Sequence, residues 1–105
     1  MNLRVRRFGG FAGLDDTLVV IETTRLSETD RTRIEGEIRE LDFFSLTSSG
    51  ADEAVGADLI YTEVAVRDGA KFHTVRYSDE NGGELQALQR FVDRLVKDPK
   101  FLPKE

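Results

Sequence analysis

The 105-residue sequence contains no cysteine and only one histidine, His73. The missing cysteine excludes disulfide bonds, thiolate catalysis and cysteine-based zinc or iron–sulfur sites. A single imidazole leaves too few of the usual ligands for a closed metal site, and no EF-hand pattern offers carboxylates to calcium. We therefore expect the chain to hold no metal and no cofactor.

Long hydrophobic runs and an excess of positive charge are also missing. No stretch approaches the roughly 20 apolar residues that cross a membrane, and residues 1–10 lack the apolar core of a secretory signal. The sequence thus predicts a cytoplasmic protein, or one exported by another route, without a membrane partner. With 15 Lys and Arg against 20 Asp and Glu, the net charge is −5. A nucleic acid would be repelled, so we expect no nucleic-acid partner.

The composition, 39% hydrophobic and 33% charged, is typical of a globular chain, and the length suits one domain over residues 1–105. Apolar residues alternate over residues 2–8, and a second β-rich run covers 14–23. Helical spacing predicts helices over 28–41, capped by Ser27, and over 84–97. Strands over 59–67 and 71–77 flank Asp68-Gly69, a hairpin signal. Asp98-Pro99 ends the second helix, and we expect residues 98–105 to form a flexible tail.

The element order ββαββα predicts an α+β fold, a four-stranded antiparallel sheet with both helices packed on one face. Arg4 and Arg6 belong on the other, more polar face. The predicted core comprises Leu3, Val5, Ile34, Ile38, Leu41, Leu88, Phe91, Val92 and Leu95.

The most unusual stretch is Phe8-Gly9-Gly10-Phe11-Ala12-Gly13-Leu14. Its glycine spacing does not fit a phosphate-binding loop, and a strand rather than a helix follows it. A hairpin with glycines at positive φ explains the glycines but does not explain Phe11. An aromatic side chain at the tip of a loop suits a binding anchor.

No other residues form a catalytic set. Surface or structural placement is favoured for His73, because no nucleophile or second ligand is suitably spaced. Solvation on a strand face is favoured over a basic patch for Arg4, Arg6, Arg7 and Arg25. Phe43 and Phe44 are expected in the core at the helix exit, and Asp15-Asp16 flank the glycine-rich turn. The residues thus favour a binding role over an enzyme.

The chain resembles the emfourin family of small cytoplasmic proteins that inhibit thermolysin-like zinc metallopeptidases, including those of the protealysin type. The matching residues are Arg7, Gly9-Gly10-Phe11-Ala12-Gly13, Leu41-Asp42-Phe43-Phe44, Asp58, Tyr61, Asp68-Gly69 and His73-Thr74-Val75. The resemblance runs from Leu3 to about Leu95. The loop at residues 47–51 lacks the proline that is frequent in the family.

This resemblance implies inhibition of a peptidase that carries its own zinc. A loop can wedge into the cleft, an apolar side chain can fill the primed-side pocket, or a carboxylate or the N-terminal amine can ligate the zinc. We favour the wedge, with Phe11 as anchor and Gly9, Gly10 and Gly13 shaping the loop. The expected contact residues are Phe8, Gly9, Gly10, Phe11, Ala12, Gly13, Asp15 and Asp16, with the N-terminal segment secondary.

Two other functions stay open. One is a regulatory interaction module that inhibits no peptidase and pairs through a sheet edge. The other is a small enzyme based on two converging carboxylates, for which the sequence shows no suitable spacing.

Overall fold

The computed structural model describes residues 1–9, 14–46, 60–78 and 85–101. Its strands and helices follow the predicted order, so the α+β prediction is confirmed. The elements are β1 (Asn2–Gly9), β2 (Leu14–Glu22), α1 (Glu28–Glu40), β3 (Ile60–Asp68), β4 (Lys71–Ser78) and α2 (Gln86–Lys97). The predicted bounds differ from these by two residues at most.

The four strands form one antiparallel sheet in the order β2-β1-β3-β4. One face of every strand shares a single hydrophobic core with both helices, so both helices lie on the same side of the sheet. Because side chains alternate along a strand, the opposite side is left without a covering layer among the described residues. We call that side the open face.

The predicted core is largely confirmed. Eight of its nine residues are at most 4% exposed: Leu3, Val5, Ile34, Ile38, Leu88, Phe91, Val92 and Leu95. Leu41 is only partly buried, because it is the capping residue at the C-terminal end of α1 rather than part of the helix.

Local chemistry sets both ends of α1. The Ser27 hydroxyl accepts a 3.2 Å hydrogen bond from the Asp30 backbone N–H, which satisfies one of the free donors of the first turn. After Leu41, Asp42 adopts a left-handed conformation with φ 52°, which an aspartate tolerates better than most residues. This turn directs Phe43 into the core.

The C-terminal segment packs on the domain as far as residue 101. Pro99–Phe101 form a short 3₁₀ helix, and Phe101 is only 2% exposed within the core. Lys100 Nζ lies 3.1 Å from the Asp30 carboxylate, and this hydrogen bond lowers the pKa of Asp30, aided by the charges of Lys100 and Arg33. The expected flexible tail over 98–105 therefore does not begin at residue 98. Residues 102–105 lie outside the described residues.

Candidate functional site

The glycine-rich segment joins β1 to β2 at one end of the sheet. Gly9 is the last residue of β1 and pairs with Leu14 on one side and Ile60 on the other. Its φ of 103° suits glycine alone, so the chain leaves the strand through a conformation that other residues disfavour. Of the predicted site, Gly10, Phe11, Ala12 and Gly13 lie outside the described residues. The structure therefore shows the two strand ends that precede and follow them in the sequence.

The open face consists of four rows of side chains that run across the strands. Three of the rows contain residues paired in register from β2 through β1 and β3 to β4, and the fourth is given from β2 to β3. The rows are Glu22, Asn2, Arg67 and Phe72; Val20, Arg4, Ala65 and Thr74; Thr17, Arg6, Glu63 and Arg76; and Asp15, Phe8 and Tyr61. The last row adjoins the glycine-rich segment.

A β-bulge decides which aspartate joins this last row. The register between β1 and β2 shifts between Val5 and Arg6, which leaves Leu18 as the extra residue of β2. Without the bulge, alternation from Val19 would turn Asp15 toward the helices. With it, Asp15 pairs with Phe8 on the open face, and Asp16 pairs with Arg7 on the helix side. The two predicted contact aspartates thus point to opposite sides of the sheet.

Phe8 is fixed by three neighbours rather than free in solvent. The guanidinium carbons of Arg6 and Arg76 lie 4.8 and 5.4 Å from the centre of its ring, within cation–π range. The Tyr61 ring lies 5.9 Å away at an interplanar angle of 30°. Tyr61 itself is 8% exposed, and its buried hydroxyl has no hydrogen-bond partner among the described residues. These contacts fix the end of β1 on the open face.

Glu63 connects the two arginines that hold Phe8. Its carboxylate accepts a 2.8 Å hydrogen bond from Arg76 Nε and lies 3.5 Å from Arg6 Nη2. Arg6 Nη1 is also 3.7 Å from Asp15 Oδ1. We call the set Arg6, Phe8, Asp15, Tyr61, Glu63 and Arg76 the hairpin-end cluster. Sequence reasoning found only Phe8 and Asp15 of it as contact residues, because the cross-strand register that gathers the others has no local signal.

Met1 lies at the opposite end of β1. Its carbonyl accepts a hydrogen bond from the Thr23 backbone N–H at 2.9 Å, and the Thr23 hydroxyl oxygen lies 3.1 Å from the same carbonyl oxygen. Since β1 spans eight residues, Met1 and Gly9 are about 26 Å apart. The N-terminal amine and the glycine-rich segment therefore cannot reach one zinc ion together, and Met1 is not a neighbour of the expected contact loop.

The remaining candidate residues have structural positions. His73 Nε2 lies 2.6 Å from the Leu46 carbonyl oxygen, so this nitrogen carries the proton and donates. The His73 ring packs edge-on against the ring of Phe43, with 5.6 Å between the ring centres. Phe43 is buried in the core as predicted, and Phe44 is partly buried beside the two rings. His73 thus has a packed position with a backbone contact, which agrees with the surface or structural placement that the sequence favours.

The four arginines considered as a basic patch are separated. Arg4 and Arg6 lie on the open face, whereas Arg7 pairs with Thr62 on the helix side and Arg25 belongs to a short 3₁₀ helix after β2. The cations that do share the open face are Arg4, Arg6, Arg67 and Arg76, two of which come from β3 and β4. The preferred interpretation, solvated strand faces, fits this arrangement better than one patch.

In the parts of the chain that the structure describes, no group of three or more His, Asp or Glu side chains is arranged to hold a metal ion. Within the same parts, neither helix is long and apolar enough to span a bilayer. The hairpin-end cluster offers aromatic surface and paired charges, which suit the recognition of another protein.

Comparison with known proteins gave one informative result. Curated proteins and solved structures gave no match. A family model described as emfourin matches residues 5–95. This range includes most of β1, all of β2, α1, β3 and β4, and nearly all of α2. This family is one of inhibitor domains rather than catalytic domains. Because the match covers most of the sequence, the chain belongs to the emfourin family, and this membership suggests a role as a metallopeptidase inhibitor.

Proposed function

We propose that the protein inhibits a thermolysin-like zinc metallopeptidase of the protealysin type by inserting residues 9–13 into its active-site cleft. The observation that carries this proposal is the hairpin end itself. The two residues that flank the glycine-rich connection, Gly9 and Leu14, are paired with each other, and the hairpin-end cluster lies beside these strand ends on the open face. Family membership supports the class of target.

Fixed strand ends favour inhibition over cleavage. Gly9 is paired on both sides, and Phe8 is held by aromatic and guanidinium neighbours, so the segment between Gly9 and Leu14 begins and ends at fixed points. Such preorganisation lowers the entropy lost on binding. Inhibition without cleavage requires that a bound peptide bond not reach the geometry for attack by the zinc-bound water, and fixed strand ends favour this. The protein then occupies the cleft without being turned over.

Phe11 is the proposed anchor in the primed-side pocket of the peptidase. An aromatic side chain buried at the centre of an interface is a typical hot spot, with an effect of about 2–4 kcal/mol on truncation. Asp15 is the proposed acidic contact at the edge, because its side chain is 65% exposed on the same face as Phe8. Asp16 lies on the helix side and is secondary.

The test measures hydrolysis of a fluorogenic peptide by thermolysin and by a protealysin-type enzyme with increasing amounts of the protein. We expect Phe11→Ala to raise the inhibition constant about 30- to 1,000-fold. The matched control, Phe11→Leu, keeps an apolar side chain of a kind that the pocket accepts, and we expect inhibition close to that of the wild type.

Three results would count against the proposal. Failure of the wild-type protein to slow either enzyme, with binding retained, would favour the regulatory interaction module. A melting temperature that falls sharply in Phe11→Ala, with inhibition intact below it, would place Phe11 in the fold rather than in the interface. Equal loss in Phe11→Ala and Phe11→Leu would exclude the pocket-filling role.

A further inference from the structure

A shallow trough of about 400 Å³ lies on the open face away from the glycine-rich segment. Its floor is the second row of the face, where Ala65 and Thr74 are small while the rows on either side carry large side chains. The volume is at the lower end of the range for ligand pockets in proteins. The trough therefore has room for a few side chains of a partner rather than for a whole helix.

Two exposed apolar side chains border the trough on opposite edges of the sheet. Val20 on β2 is 56% exposed and Phe72 on β4 is 58% exposed. Among the described residues, these are the large hydrophobic side chains that the fold leaves in solvent. Both line the same concave surface, which is an arrangement typical of a protein contact site.

Two guanidinium groups at this end of the open face, those of Arg4 and Arg67, have no carboxylate partner among the described residues. No described acidic side chain pairs with Arg4 or Arg67, and the Arg67 guanidinium instead lies 5.1 Å from the centre of the Phe72 ring. Arg6 and Arg76, by contrast, share Glu63. Glu22 also lines the trough, but its carboxylate lies 3.9 Å from the N-terminal amine of Met1 rather than beside either arginine. In a chain of net charge −5, these two guanidinium groups thus stay without a described carboxylate partner.

We propose that this trough is a second contact surface for the peptidase, and that it takes an apolar side chain next to a carboxylate on the peptidase surface. The apolar group would pack between Val20 and Phe72, and the carboxylate would pair with Arg4 and Arg67. The inference rests on the proposed function.

The two contact regions are continuous. The trough and the hairpin-end cluster share one face, and Arg4 and Phe8 are about 13 Å apart along β1. When residues 9–13 lie in the cleft of the peptidase, the rim of that cleft is therefore close enough to contact the trough. Unpaired surface arginines raise association rates with acidic partners and make binding sensitive to salt.

The experiment compares two double variants with the same change in charge. Arg4→Gln/Arg67→Gln removes the two cations of the trough, whereas Arg33→Gln/Arg90→Gln removes two exposed cations of the helices. Inhibition constants and association rates are measured against thermolysin and a protealysin-type enzyme at about 0.05 and 0.5 M NaCl. We expect the trough variant to raise the inhibition constant about tenfold at low salt and to lose most of its salt dependence. The helix variant should stay within about twofold of the wild type.

The apolar half of the proposal has its own variant. Phe72→Ser removes an exposed ring, so the melting temperature should change little while the inhibition constant rises. Melting temperatures are measured for every variant, and each inhibition assay is run well below them.

The outcomes separate this inference from the proposed function. If the wild type inhibits and both double variants inhibit equally well, the second contact surface is refuted and the proposed function stands. If the wild type binds neither enzyme, both are refuted. Sedimentation of the free protein gives a further check, since a dimer that Phe72→Ser dissociates would assign the trough to a second copy of this chain and refute the peptidase as its occupant.

Discussion

Replacement of Phe8 by alanine tests whether the hairpin-end cluster holds the strand end that supports the glycine-rich segment. The substitution removes a ring with two guanidinium groups at 4.8 and 5.4 Å and the Tyr61 ring at 5.9 Å. Cation–π contacts at partly exposed sites contribute about 0.5–1 kcal/mol each, and an aromatic pair contributes about 0.5–1.5 kcal/mol. We therefore expect Phe8→Ala to lower the free energy of unfolding by about 1.5–3.5 kcal/mol.

Urea and thermal unfolding followed by circular dichroism measure this loss. For a domain of this size, the melting temperature should fall by about 5–20 °C. Phe8→Leu keeps apolar contact with Tyr61 but offers no ring face to Arg6 and Arg76, so its stability should lie between those of the wild type and Phe8→Ala.

Phe72→Ala is the matched control on the same face. Phe72 is 58% exposed and has one guanidinium neighbour, at 5.1 Å, so its loss should cost less than about 1 kcal/mol. Equal destabilisation by the two alanine variants would refute the view that the cluster holds the strand end. Full stability of Phe8→Leu would show that apolar contact, rather than the guanidinium groups, fixes Phe8.

Two further predictions concern the C-terminal segment and pH. Phe101→Ala should lower the free energy of unfolding by about 3–5 kcal/mol, because Phe101 is 2% exposed in the core; an unchanged urea midpoint would show that the segment does not contribute. The Thr23 hydroxyl donates a 2.6 Å hydrogen bond to Glu35, and this bond lowers the pKa of Glu35, with the charge of Arg31 adding to it and burial opposing it. The stabilisation from Glu35 should therefore be complete above pH 4.5, the usual pKa, and be lost as the pH falls through the lower pKa of the folded state. Glu35→Gln should have a lower free energy of unfolding than the wild type at neutral pH, and this difference should shrink in acid. Glu40→Gln, which changes an exposed residue of the same helix, should follow the wild type. A difference between Glu35→Gln and the wild type that stayed constant across the pH range would contradict the prediction.

Much of the fold follows from local patterns. Alternation of Leu3 and Val5 with arginines identifies β1, and the spacing of Ile34 and Ile38 after Ser27 identifies α1, because each pattern has the period of its element. Phe101 was missed because it follows a proline that ends α2, and a helix stop does not show whether the next residues return to the core.

The candidate site was predicted only in part, because its geometry depends on pairing between distant strands. The strand order β2-β1-β3-β4 brings Tyr61, Glu63 and Arg76 beside Phe8, although they are more than 50 residues away in sequence. The bulge at Leu18 decides that Asp15 rather than Asp16 lies on the open face, and no glycine or proline in β2 marks it. Register is a property of the assembled sheet, so a reading of one strand at a time cannot provide it.

The arginines of the open face form two groups, which differ in how much a partner's carboxylate would add to their interactions. Arg6 and Arg76 already pair with Glu63, so a partner carboxylate that approached them would gain little additional Coulomb energy. Arg4 and Arg67 have no such carboxylate, so a partner carboxylate supplies an interaction that the free protein lacks. The arginines with a carboxylate partner, Arg6 and Arg76, are therefore suited to holding the hairpin, and Arg4 and Arg67 are suited to contacting a partner. We accordingly expect removal of a cation to affect stability near Phe8 and affinity near Phe72.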